Sequence, residues 1–107
     1  MSTTEPLTAA VLGVARLGER ATLVQFSSAF CRPCVATRRI LAEIAEMVDG
    51  VVHVDVDAEA RLELVRELDV AGTPTVLVLD ATGRVVQRAA GLPRKADVIA
   101  ALGRAVG

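Results

Sequence analysis

The sequence contains no tryptophan and no tyrosine, and its 107 residues include only two phenylalanines. Single-stranded nucleic acids are held on stacking aromatics above a basic groove, and neither feature is present. The twelve Lys and Arg residues are offset by thirteen Asp and Glu, for a formal net charge of −1. The basic residues are scattered, with Arg38–Arg39 and Arg94–Lys95 the only adjacent pairs. No nucleic-acid partner is therefore expected. Long apolar runs are also missing. A bilayer-spanning helix needs about 20 apolar residues, whereas the stretch "PLTAAVLGVA" stops at Arg16, and Glu5 flanks it without a preceding basic cluster. The expectation is a chain with no membrane segment and no export signal, working in the cytoplasm. The alternative is that it is the soluble domain of a membrane-anchored protein. Cysteine is scarce as well, with two residues where a small disulfide-stapled fold has four or more.

What is present is aliphatic. Hydrophobic residues make up 52% of the chain, nearly all of them Val, Leu, Ile and Ala, and charged residues 23%. That composition supports a packed core and argues against disorder. The length suits one domain over residues 1–107, with a loose terminus over 1–6. Residues 7–18 have an apolar pattern open to helix but weakened by Gly13 and Gly18. From residue 21 the signals sharpen. "ATLVQFS" (21–27) reads as a buried strand, and "VATRRILAEIAEMV" (35–48) as a helix with Ile40, Leu41, Ile44 and Val48 on its apolar face. "VVHVDV" (51–56) reads as a strand, Asp57 as an N-cap, and residues 58–68 as a helix. "TVLVLD" (75–80) and "RVVQRAA" (84–90) read as a hairpin around a tight turn at 80–83. Pro93 opens a last helix whose apolar face is Val98, Ile99, Leu102 and Val106. The order predicts an α/β fold, a central mixed sheet flanked by helices on both faces, in which a βαβ unit leads into a hairpin.

Both cysteines fall in "FSSAFCRPCVATRRI" (26–40), where the first strand gives way to a helix. A disulfide across so short a loop constrains the unfolded chain weakly, so redox chemistry explains the pair better than stability does. Cys31 is placed at the helix N-terminus, where free backbone N–H groups and the helix dipole favour a thiolate. Arg32 adds positive charge, and Pro33 suits the first turn. Cys34 lies three residues on, on the same helical face, where its sulfur can attack a mixed disulfide formed at Cys31. Cys31 is thus the candidate nucleophile and Cys34 the candidate resolving thiol. Two cysteines and one histidine do not complete a four-ligand structural zinc site, so no metal is expected.

With "TLVQFSSAFCRPC", "VVHVDVD", "GTPTVLVLDATGRVV" and "AAGLPRKADVIAAL", residues 21–107 resemble the thioredoxin superfamily. A lowered cysteine pKa is a known property of thioredoxin itself, so that expectation and the resemblance are not independent. The resemblance implies the thioredoxin fold, a cis bond at Thr73–Pro74 beside the cysteines, and a groove in which the Thr73 backbone pairs with extended substrate. It also implies that Gly91 leaves room in that groove and that Phe30 forms part of its rim. The implied partners are disulfide-containing protein substrates and a thioredoxin-reductase-like electron donor, with the chain a monomer. No cofactor beyond the Cys31–Cys34 disulfide is implied. There are departures from the family pattern. Arg-Pro replaces Gly-Pro between the cysteines, and Ser27 and Phe30 replace tryptophans. Gln25 stands where the family has a buried Asp that assists proton transfer at the inner cysteine, and His53 where it has a Lys. Gln25 and His53 are therefore candidates for proton transfer. Two structural readings stand beside that one: a buried amide bonded to backbone, and a strand histidine with a satisfied ring. The overall expectation is a thiol–disulfide oxidoreductase acting as a protein-disulfide reductase. The alternatives are a redox-slow module that docks a partner protein, and metal-ion handling by the dithiol.

Overall fold

The computed structural model describes residues 5–106. Its elements, in chain order, are α1 (Ala9–Leu12), β1 (Ala21–Ser27), α2 (Arg32–Met47), β2 (Val51–Asp57), α3 (Leu62–Glu67), β3 (Thr75–Asp80), β4 (Val85–Ala90) and α4 (Lys95–Val106). All seven residues of β1 are buried. A strand without a polar face needs cover on both sides, and β1, an inner strand of the order β2-β1-β3-β4, has it from a core packed on each face. It runs parallel to β2 and antiparallel to β3, and β3 is antiparallel to β4. This is the expected mixed sheet.

Because side chains alternate along a strand, β1 contributes to two cores. Ala21 and Leu23 pack with Leu41 and Ile44 of α2 and with Leu102 of α4. Val24 and Phe26 point the other way, into a core closed by Leu7, Leu12, Leu64 and Leu68. The α2 face carries the site, since Gln25 and Ser27 follow Ala21 and Leu23 in the same alternation.

Several local expectations are corrected. The ambiguous residues 7–18 contain one helical turn, capped by Thr8, whose Oγ1 accepts from the N–H of Val11 at 3.1 Å, and ended by Gly13 at φ 75°. Of the terminus expected to be loose, residues 1–4 lie outside the described residues. The chain is already fixed at Leu7, which is buried and donates its N–H to the Gly83 carbonyl at 2.8 Å. Gly83 has φ 91°, and a Cβ there would sit 2.0 Å from the Leu7 carbonyl oxygen, so glycine is required on two counts. The helix expected over 58–68 is confined to Leu62–Glu67. Ala58 donates to the Ser27 carbonyl at 2.8 Å, extending the ladder, and Asp57 caps only a turn, accepting from the N–H of Glu59 at 2.9 Å. The last helix starts at Lys95, two residues after Pro93, and buries Val98, Ala101 and Leu102. Ile99, expected on that face, is instead exposed.

The hairpin turn is built on Asp80. Its Oδ1 accepts from the Thr82 hydroxyl at 2.7 Å and from the backbone N–H groups of Thr82 and Arg84 at 2.9 and 3.0 Å. These bonds, the Thr82 hydroxyl first among them, hold the Asp80 carboxyl below its ordinary range.

Candidate functional site

Between β1 and α2 the chain turns through Phe30, which adopts φ 58° and is fully exposed. Cys31 follows as the N-cap of α2, and its Sγ accepts from the backbone N–H of Cys34 at 3.2 Å. This is the position an N-cap Ser or Asp would occupy, with sulfur as the acceptor. Arg32 and Pro33 lie exposed in the first turn. Cys31 and Cys34 form a disulfide with Cα atoms 5.2 Å apart. The two sulfurs are not equivalent. Cys34 is buried, at 1% exposure, whereas Cys31 is partly exposed. An incoming group therefore reaches Cys31 first.

One cleft contains the pair, and a second lies along the loop before β3. The first, of about 420 Å³, is lined by Phe30, Cys31, Arg32, Cys34, Val35 and Arg38. The other, of about 250 Å³, includes Gly72, Thr73, Pro74, Arg88 and Gly91 in its walls. The Thr73–Pro74 bond is cis. The hydroxyls of Ser28 and Thr73 are hydrogen-bonded at 2.6 Å, which ties the loop before Cys31 to the loop before β3. Pro74 accepts from the N–H of Gly91 at 2.8 Å. Gly91 has φ 81°, and a Cβ built there would touch nothing within 4 Å, so the backbone conformation requires glycine while the space beside it is open. Arg88 reaches from β4 to donate to the carbonyls of Leu68 and Asp69, pinning the far end of the same loop.

Beneath the cysteines lies a polar network. Gln25, fully buried, donates from Nε2 to the Cys34 carbonyl at 2.8 Å and to Ser27 Oγ at 2.9 Å. His53 Nε2 lies 3.2 Å from Gln25 Oε1. Ser27 donates to Asp55 Oδ1 at 2.7 Å, and Arg38 Nε donates to Asp55 Oδ2 at 2.6 Å. Gln25 and His53 are thus brought together, with Gln25 standing between His53 and Cys34. The strand register pairs Gln25 with Asp55 and Leu23 with His53, so His53 reaches Gln25 diagonally. Sequence reasoning missed Ser27, Asp55 and Arg38. The available signal was alternation: 25 and 27 on β1 and 53 and 55 on β2 share one face once the strands pair in this register. Arg38 is half-exposed and ion-paired with Asp55.

Burial pushes the His53 imidazole below its ordinary pKa of 6.5; the Asp55 charge acts upward and Arg38 downward. The folded chain therefore binds a proton at His53 less readily than the unfolded chain. Stability from this group is present above the ordinary pKa and is lost as the pH falls below it, toward the lower folded value. Melting curves recorded from about pH 8 to pH 5.5 should show the wild type losing stability on acidification more steeply than His53→Gln. Parallel losses in the two proteins would contradict this assignment.

Among the described residues, no group of three or more His, Cys, Asp or Glu side chains is placed to hold a metal ion, and no helix is long and apolar enough to cross a membrane.

Comparison with known proteins gives a consistent result. The sequence profile of a family described as the thioredoxin-like domain matches residues 9–106. A curated relative, Thioredoxin H5 of Oryza sativa subsp. japonica, is 33% identical over 57 residues, covering 53% of this chain and 42% of the rice protein. The match thus spans less than half of that relative's length. Among solved structures, a mutant thioredoxin from Halobacterium salinarum NRC-1 superposes with a TM-score of 0.73 at 21% identity, over 83% of this chain and 77% of the other. A reduced thioredoxin pre-protein of Schistosoma mansoni gives 0.71 at 21% identity, over 83% and 82%. At such identities the structural likeness speaks for the fold alone.

Proposed function

We propose that this chain, which belongs to the thioredoxin superfamily, reduces or exchanges protein disulfides through Cys31 and Cys34. The observation that carries this reading is the asymmetry of the pair. A partly exposed sulfur caps a helix and accepts a backbone N–H, and it is joined to a second sulfur that is almost wholly buried.

The chemistry follows from the dithiol form. The helix N-terminus stabilises negative charge on Cys31, so its thiolate is the nucleophile. It attacks one sulfur of a substrate disulfide; a Cys31–substrate bond forms, and the other substrate sulfur leaves with the electron pair and takes a proton. Cys34 then loses its proton and attacks Cys31. The Cys31–Cys34 bond forms and the second substrate sulfur leaves. Two electrons pass to the substrate, and the pair ends as the disulfide. The cleft at Cys31 and the cleft along the loop before β3, joined by the Ser28–Thr73 hydrogen bond, supply the groove. Phe30, Arg32 and Pro33 meet the substrate on one side. Thr73, Pro74 and Gly91 meet it on the other, where an extended segment pairs with the Thr73 backbone. A thioredoxin-reductase-like donor in the cytoplasm returns the disulfide to the dithiol.

Two measurements test the reading. Alkylation of the reduced protein near pH 7 should label Cys31 well before Cys34, and reduction of a protein disulfide with a dithiol donor should turn over repeatedly. Equal labelling of the two cysteines would overturn the assigned roles. Absence of turnover together with partner capture that survives loss of both cysteines would favour a docking module instead.

A further inference from the structure

The polar network beneath Cys34 has directions fixed by what each atom can donate. The Cys34 carbonyl only accepts, so the Gln25 atom 2.8 Å away is the amide nitrogen. The amide oxygen therefore faces His53. It too only accepts, so Nε2 of His53 carries the hydrogen across that 3.2 Å contact. The other Gln25 N–H goes to Ser27, and Ser27 in turn gives its own hydrogen to Asp55. The donors thus run in sequence from His53 through Gln25 and Ser27 to one carboxylate, whose second oxygen is held by Arg38 from α2. With Nε2 occupied, Nδ1 is the ring nitrogen left to take a proton. The charged groups that act on the ring are Asp55 on its own strand and Arg38 across from α2. The neighbouring strand β1, "ATLVQFS", has no ionisable side chain.

We propose that Asp55, acting through Ser27 and opposed by Arg38, is a positioning residue for the step in which Cys34 resolves the mixed disulfide. It locks the Gln25 amide against Cys34 and supplies the negative charge that favours proton uptake by His53. The inference rests on the oxidoreductase reading and deepens it. In this step the Cys34 thiol passes its proton through solvent to Nδ1 of His53. The Cys34 sulfur bonds to Cys31, the Cys31–substrate bond breaks, and the substrate sulfur leaves as a thiolate with the electron pair. The imidazolium then returns its proton to that thiolate. The substrate disulfide is the only oxidant required. The carboxylate thus acts from β2, and the position on β1 nearest Cys34 is filled by a neutral amide.

The test uses a preformed mixed disulfide between Cys31 and a chromophoric aryl thiol, whose release by Cys34 is followed from about pH 5.5 to 8.5. His53 is titrated by NMR in the same proteins. Asp55→Asn should slow release near neutral pH by about three- to ten-fold, the scale of one net hydrogen bond, and should lower the His53 midpoint. Arg38→Gln should move the midpoint and the release profile to higher pH, because it leaves Asp55 unopposed. Ser27→Ala should slow release while leaving the midpoint near that of the wild type, and Ser27→Thr should restore the rate. Wild-type release rates together with an unmoved His53 midpoint in Asp55→Asn would overturn the proposal, as would a Ser27→Ala protein that resolves normally. Aryl-thiol release does not depend on any protein substrate. Failure to reduce protein disulfides would therefore count against the oxidoreductase reading, and failure of these shifts against the role of Asp55.

Discussion

Cys34→Ser should accumulate as a covalent adduct with its substrate. The variant keeps Cys31 at the helix N-cap, so under the proposed mechanism the first exchange proceeds, but no buried sulfur remains to release the product. Non-reducing electrophoresis should show the adduct, and a reductant should dissolve it. Cys31→Ser should show no adduct, because a hydroxyl at the N-cap is not ionised at neutral pH. Its multiple-turnover reduction should fall by about 10⁴-fold or more, the scale on which loss of a nucleophile removes a covalent route. Neither change should cost much stability, since the loop that the disulfide closes is short. A Cys34→Ser protein that turned over at the wild-type rate would exclude Cys34 as the resolving thiol.

The largest expected effect on stability is at Phe26. Its side chain is fully buried, in the core opposite the cysteines, among Val24, Val56 and Leu77 of the sheet, Leu12 of α1 and Leu64 of α3. Phe26→Ala should destabilise the chain by about 3–5 kcal/mol, from lost transfer free energy and the remaining cavity. Domains of this size are stable by only about 5–15 kcal/mol, so the urea midpoint should fall steeply. Phe26→Leu, closer in volume, should lose much less. The consequence reaches the site, because Gln25 and Ser27 flank Phe26 in β1 and depend on that strand holding its register with β2. A loss below about 1 kcal/mol in Phe26→Ala would mean that the core repacks freely around that position.

How much of this was legible in the residues depended on how local each signal was. The Cys31–Cys34 site could be read because its parts lie within one turn of chain: a strand ends, a helix begins, and the two sulfurs are three residues apart. The sheet could be read from "ATLVQFS" and "TVLVLD", whose apolar residues need no partner to be recognised as strand-like. The helix expected over 58–68 is shorter because the Ser27 carbonyl, more than thirty residues earlier, claims the N–H of Ala58. Ile99 is exposed because the apolar spacing in α4 fits two faces, and contact with β3 selects the one carrying Val98, Ala101 and Leu102.

The sequence by itself determined that one cysteine lies at the N-terminus of a helix and that a second lies one turn behind it. N-cap geometry, the dipole and the i, i+3 spacing are properties of contiguous residues. Only the tertiary structure decided what lies beneath that pair. Gln25, Ser27, Arg38, His53 and Asp55 come from three elements, and they meet because β1 and β2 pair with Gln25 opposite Asp55. A slip of one residue would turn Asp55 and His53 to the opposite face of the sheet and leave Gln25 buried without them. That register is set by the packing of two cores on either side of β1, and no stretch of neighbouring residues encodes it.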